Sequence, residues 1–252
     1  MSYKLVKFND DNVRKIVKEI SEDELVTIKE KISALQKVMF CKDYYFMVVD
    51  NIDDWQRVIQ TCDFFDKNSF RTLNRFMYNI LGAYYAWVEF YETNYKNIFA
   101  VIKSKYYDEY FTYRMIYNLR VYMTHCEIGI TQTEINYDKQ EVHIYIPPKD
   151  LIEKGKSRLQ SKVVKELVEM IGENKSVDVE LLINNFHKIF TDMNKDLTKA
   201  INPEVKENLN YLYDCLSNDG EIVQGTCIID SKDKIVLDIQ THINLFLKKM
   251  AS

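Results

Sequence analysis

No proline occurs before Pro147, and the whole 252-residue chain holds only 3 Pro and 6 Gly. Proline removes a backbone donor and clashes with the preceding helical turn, and glycine weakens any regular element it interrupts. So long a stretch without breakers predicts long helices. Hydrophobic residues make up 46% of the chain and aromatic residues 13%. That is ample for a packed core and excludes global disorder. The expected fold class is mainly α.

The spacing of apolar residues places the elements. Ser21 and Glu24 read as a capping box, followed at helical spacing by Leu25, Ile28, Ile32, Leu35 and Met39. Tyr44–Val49 is compatible with helix or strand. No turn residues bound it and Ile52, Trp55 and Ile59 continue the spacing, which selects helix. Asp66, Asn68 and Ser69 start a second helix through Phe70, Leu73, Met77, Ile80, Tyr84, Trp87, Tyr91 and Tyr95. Gly82 and Ala83 within it suggest a close approach by another helix. A third helix is expected from about Lys103 to His125.

The texture changes after Gly129. Thr131–Tyr137 and Glu141–Ile146 alternate around Asp138-Lys139-Gln140, which predicts a β-hairpin ended by Pro147-Pro148. Helical spacing returns through Leu159, Val163, Leu167 and Met170, closed by Gly172. Ser176 is expected to cap a further helix through Leu197, and Asn202-Pro203-Glu204 to start another. Glu221–Asp230 and Lys234–Ile239 suggest a second hairpin before a last helix through Ile243 and Phe246. This organisation suggests a helical bundle over 1–130 and a hairpin-plus-helix region over 131–252, packed on the bundle.

Charge and cysteine usage narrow the function classes. The formal net charge is −4 with pI about 5.7, so no global basic field attracts nucleic acid. Lys149–Lys165 is a local basic candidate or simply a solvated helix start. Five cysteines (Cys41, Cys62, Cys126, Cys215 and Cys227) form no C-x-x-C pair. That fits reduced thiols in a cytoplasmic protein rather than a disulfide frame or zinc knuckle. No signal-peptide pattern and no run long enough for a membrane span are visible, so no membrane partner is expected. Phosphate-loop, dinucleotide-binding, zinc-protease and hydrolase-elbow motifs are absent. Asp50, Asp53 and Asp54 make an acidic knot, read as a solvated helix face ahead of a metal site. His143, His187 and His242 lack partners at ligand spacing. Neither a cofactor nor a metal is expected.

One segment offers chemistry beyond packing: Tyr117-Asn118-Leu119-Arg120-Val121-Tyr122-Met123-Thr124-His125. An imidazole moves protons near neutral pH, and a guanidinium forks around a phosphate. On a straight helix the two side chains diverge by about 140° and lie about 7.5 Å apart along the axis. They converge only if the arginine sweeps round, if the helix end frays, or if a second copy of the site faces the first. Arg114 and Asn118 share a face with His125 and are candidates to support the site or bind phosphate. An ion pair of structural purpose is the competing reading for Arg114. Tyr106, Tyr110, Tyr113, Tyr117 and Arg120 form a stripe that stacks bases or packs helices.

Three helices, the third ending in Tyr-x-Leu-Arg-x-x-x-x-His at Tyr117, Leu119, Arg120 and His125, resemble the HEPN superfamily of helical ribonucleases and toxins. The resemblance covers about residues 20–130. It implies a HEPN-like antiparallel bundle with a β-hairpin and additional C-terminal helices. It implies a metal-independent RNA endonuclease of a toxin or antiphage-defence module, acting as a homodimer. The expected catalytic residues are Arg120 and His125, with Asn118, Arg114 and Tyr117 in support. The implied partners are RNA, a second copy of the chain, and an antitoxin or other defence-system protein. Val121 stands where the family often has a polar residue. Glu127 stands where some members carry a tyrosine that an antitoxin adenylylates, so that form of control is not expected. The alternative is a non-catalytic HEPN-like module that binds a partner protein or nucleotide.

Overall fold

A computed structural model describes residues 3–8, 14–63, 66–125, 130, 132–136, 141–155, 159–172, 176–218, 221–222, 226–232 and 234–251. It is mainly helical, with eight helices and short antiparallel sheets among the described residues. The order begins β1 (Tyr3–Phe8), β2 (Arg14–Ile20), α1 (Glu22–Thr61), α2 (Lys67–Asn94), α3 (Lys96–Glu109) and α4 (Phe111–His125). It continues β3 (Gln132–Asn136), β4 (Glu141–Ile146), α5 (Pro148–Gly155), α6 (Ser161–Gly172), β5 (Val177–Asp178) and α7 (Val179–Leu216). It ends β6 (Ser217–Asn218), β7 (Glu221–Ile222), β8 (Thr226–Ile229), β9 (Ile235–Leu237) and α8 (Ile239–Ala251).

The chain forms two compact units, one of residues 43–198 and the other of 1–42 with 199–252. The division expected at 130 is therefore replaced by crossings within α1 and within α7. The texture change after Gly129 marks a switch of secondary structure inside the first of these units.

The 43–198 unit is built on an aromatic core. Trp55, Tyr84, Trp87, Tyr91, Phe99, Tyr113, Phe186 and Phe190 are essentially inaccessible. Trp87 meets Phe190 at 4.8 Å and Phe99 at 5.5 Å between ring centroids, and Tyr84 meets Phe186 edge-on at 5.2 Å. Such contacts add to the area the rings bury. Tyr113 and Tyr106 belong to this packing, so this part of the tyrosine stripe is a packing face. Gly82 does not mark a close approach: a Cβ there would meet nothing within 4 Å. The hairpin forms as expected, with Thr133 opposite Ile144, and β5 adds to its β4 edge. Its turn at Asp138-Lys139-Gln140 lies outside the described residues.

The second unit joins early and late sequence in one sheet, ordered β2-β1-β8-β9. Leu5 pairs with Ile228 and Val6 with Cys227, all buried. Lys42 Nζ donates to the Lys249 carbonyl at 2.7 Å, satisfying an acceptor at the end of α8. The strands Tyr3–Phe8 and Arg14–Ile20 were not expected: β2 pairs with β1, and the other partner of β1, β8, lies at the far end of the chain.

Three boundaries correct the sequence reading. The helix expected through Lys103–His125 breaks at Tyr110, whose backbone is extended at φ −117° and ψ 115°. Ser176 does not cap α7. Asp178 does, its Oδ1 accepting Leu181 N at 2.9 Å, while Val177 pairs with Ile146. Pro203 does not start a helix but lies within α7. It withholds the donor that Lys199 would otherwise meet, and the exposure of this turn lets water substitute.

Candidate functional site

The end of α4 is held along one stripe of α2. Asn74, Tyr78 and Tyr85 fall within about 40° of each other around that helix. Asn74, only 6% exposed, donates to the Ile130 carbonyl at 2.8 Å and accepts Ile130 N at 2.9 Å. One turn on, the Tyr78 hydroxyl donates to the Met123 carbonyl. Two turns further, Tyr85 lies under Arg120, with the guanidinium carbon 3.5 Å from its ring centroid. The contacts run 74–130, 78–123 and 85–120, so α2 grips the motif-bearing segment in antiparallel order. Asn74 carried a legible signal: it is an amide among the apolar positions Phe70, Leu73 and Met77.

Arg120 stacks by its face, while a guanidinium's N–H donors lie in its edge. Tyr85 in turn gives its hydroxyl to Glu89. That carboxylate pushes the phenol above its ordinary pKa, and Arg120 pulls the other way. His125 is the last residue of α4. Its side chain lies outside the described residues, as do Cys126, Glu127 and Gly129. Arg120 and His125 therefore share the last turns of one helix, with the Tyr78 bond to Met123 between them and the Asn74 bonds at Ile130 beyond.

Arg114 and Asn118 occupy a different place. Arg114 is 5% exposed. Its guanidinium holds Glu166 of α6 through both carboxylate oxygens, with Nε to Oε2 at 3.2 Å. Its Nη1 donates to the carbonyls of Tyr107 at 2.6 Å and Asp108 at 3.0 Å. In an unbroken helix those carbonyls would meet the N–H groups of residues 111 and 112. Arg114 takes them instead, which explains how the chain breaks at Tyr110 without stranding acceptors. Asn118, 2% exposed, donates to the Arg114 carbonyl at 2.8 Å and accepts Gln160 N at 3.2 Å. Both residues thus join α3, α4 and the start of α6, and Arg114 makes the structural ion pair weighed for it from the sequence.

Tyr117 lines a cleft of about 650 Å³ with Glu92, Lys96, Phe99, Lys103 and Tyr107. Lys103, also in its lining, is 2.7 Å from Glu92 and 5.1 Å from the Tyr117 ring centroid. Burial works against its ammonium, but the Glu92 bond and Tyr117 outweigh that and hold its pKa above the ordinary lysine value. Tyr107 meets Tyr117 edge-on at 5.9 Å, and burial raises its phenol. Glu92 continues the α2 stripe that carries Tyr85, and Tyr117 precedes Arg120 by one turn of α4. The sequence singles out Tyr117 in support of Arg120 and His125 and gives no sign of the cleft, because Glu92, Lys103 and Gln160 meet only in space.

The basic candidate over Lys149–Lys165 includes Lys156 and Arg158, which lie outside the described residues. Asp54 of the acidic knot pairs with Arg57. His143 Nδ1 lies 3.1 Å from Asp178, and His242 meets Gln36 at 3.4 Å. Among the described residues no group of three or more His, Cys, Asp or Glu side chains could hold a metal ion. Cys41, Cys62, Cys215 and Cys227 are in no disulfide, and Cys126 lies outside the described residues. No described helix is long and apolar enough to cross a membrane. Compared with known protein families, curated proteins and solved structures, the chain matches none.

Proposed function

We propose that this protein is a metal-independent RNA endonuclease of the HEPN kind, serving a toxin or antiphage-defence module and acting as a homodimer. The observation that supports it is the α2 grip on the end of α4. Asn74, Tyr78 and Tyr85 hold Ile130, Met123 and Arg120, and so anchor the chain at Met123 before His125 and at Ile130 after it. A site that must steady a crowded phosphorane gains from such fixed positioning.

In this reading His125 takes the proton of a ribose 2′-OH. The freed oxygen attacks the adjacent phosphorus, and the bond from phosphorus to the leaving 5′ oxygen breaks. That oxygen leaves with a proton from an imidazolium, which balances the step. Arg120 neutralises charge on the non-bridging oxygens. Two copies of the pair facing each other would supply base and acid together. The products are a 2′,3′-cyclic phosphate and a 5′-hydroxyl, and DNA resists for want of the 2′-OH.

The test is cleavage of single-stranded RNA by the purified protein in EDTA. Cutting with cyclic-phosphate ends, lost in both Arg120→Ala and His125→Ala while their melting curves stay cooperative, supports the reading. Cutting that persists in both variants, or that needs magnesium, overturns it.

A further inference from the structure

The cleft around Lys103 is a second site, built independently of the arginine–histidine pair. Its volume of about 650 Å³ lies within the range of small-molecule sites, about 300–1,000 Å³. Three rings line it, Phe99, Tyr107 and Tyr117. Its charged groups are Lys96 and Lys103 against Glu92 alone, a local positive balance in a chain of net charge −4.

We propose that this cleft binds a small planar aromatic anion, a ring carrying a carboxylate or a phosphate. The protein already forms this pairing internally: the Glu92 carboxylate rests on Lys103 Nζ at 2.7 Å while the ammonium lies 5.1 Å from Tyr117 and 5.8 Å from Phe99. An ammonium carries three donors, so a ligand anion joins or replaces Glu92 on Lys103 while its ring meets the aromatic wall. A cationic ligand would meet two lysines, and a neutral ring would leave two lysines facing the single carboxylate of Glu92. Gln160 narrows the choice further. Its amide oxygen accepts the Tyr107 hydroxyl, which leaves the NH₂ end as a donor to ligand oxygens. Ser104 adds a hydroxyl to the rim.

The wall is preorganised. Arg114 holds the Tyr107 carbonyl, Asn118 holds Gln160 N, and the Asn118 amide reaches the Tyr107 hydroxyl at 3.4 Å. Fixed side chains lose little freedom on binding. In this assignment Arg114 and Asn118 are positioning residues for the cleft.

Calorimetric titration of the full chain with benzoate, phenyl phosphate and uridine 5′-monophosphate tests the proposal, with benzamide and inorganic phosphate as controls. At least one of the three anions binds saturably at a single site, and benzamide binds at least about tenfold more weakly than benzoate or phenyl phosphate. Lys103→Gln, and separately Ala100→Trp, which fills the cleft from an exposed position, each weaken binding by about tenfold or more. Tightest binding of the nucleotide assigns the natural ligand to nucleotides, and tightest binding of benzoate assigns it to aryl acids. No saturable binding by any anion overturns the proposal. So does binding unchanged in Ala100→Trp, or inorganic phosphate binding as tightly as phenyl phosphate. Because the readout is binding, loss of the cleavage reading leaves this result intact.

Discussion

Asn74 and Ile130 form a closed two-bond ring, side-chain amide against backbone, within the buried part of the 43–198 unit. Ile130 is 1% exposed, so water cannot replace either bond without opening the core. The ring anchors the chain five residues after α4 ends.

Asn74→Ala leaves the Ile130 N–H and C=O buried without these partners. The expected loss is about 2–3 kcal/mol, the cost of unsatisfied buried groups. Asn74→Asp keeps the acceptor for Ile130 N but sets a carboxylate against the Ile130 carbonyl, so it does not recover the loss. Urea unfolding of both variants checks this, and wild-type stability in Asn74→Ala would remove the clamp from the account.

Arg114 carries a second prediction. Arg114→Met strands Glu166 and uncovers two carbonyls at the end of α3. A loss of about 3–5 kcal/mol is expected for breaking a buried pair from one side. Removing Glu166 as well, by adding Glu166→Leu, should return part of that loss, because no carboxylate then remains unpaired. Equal stability of the single and double variants would show the ion pair to be uncoupled.

Gly82 is an exposed residue inside α2 with nothing near the place of its missing Cβ. Gly82→Ala should therefore raise stability by about 0.5–1 kcal/mol through helix propensity and reduced unfolded-chain entropy. A lower melting temperature in this variant would mean that another surface needs the space.

The hydroxyls of Tyr84 and Tyr113 are buried near one another, and neither meets a partner with full hydrogen-bond geometry among the described residues. Burial raises both phenols above their ordinary value. The unfolded chain loses these protons near pH about 10, whereas the folded chain keeps them. The unfolded state then binds fewer protons, so stability falls as pH rises above about 10. Lys103 adds the same sign: its contribution is complete below the ordinary lysine value and is lost as pH rises through the raised one. Tyr113→Phe should match or exceed wild-type stability at neutral pH, by up to about 1 kcal/mol, and show a shallower alkaline loss. Melting temperatures from pH 7 to 11 test both parts, and an unchanged alkaline slope contradicts the second.

What the sequence revealed depended on distance along the chain. The capping box was legible because its partners are three residues apart: Ser21 N donates to Glu24 at 2.9 Å and Glu24 N to Ser21 Oγ at 3.1 Å. Asp66 was legible as the start of α2 for the same reason, its side chain accepting Asn68 N at 3.0 Å. The break at Tyr110 was not, since the Arg114 guanidinium that caps the Tyr107 and Asp108 carbonyls is held in place by Glu166 of another helix. Pro203 misled because its usual place is a helix start, whereas here an exposed turn tolerates it. At the candidate site, Arg120 and His125 are proposed from residue type and spacing. Tyr85 beneath the guanidinium, and the meeting of Glu92 with Lys103, are products of packing that no local pattern announces.

The pairing of β1 with β8 sets an order on how the molecule comes into being. During synthesis Leu5 and Val6 emerge long before Ile228 and Cys227, their sheet partners. The 43–198 unit is continuous in the chain and can close while later residues are still being added. The N-terminal strands must wait, their β8-facing edge without that partner, until the ribosome has delivered Thr226–Ile229. A nascent chain stalled before Thr226 would thus carry a finished aromatic core, with the α2 grip on α4 formed, beside an unfinished sheet.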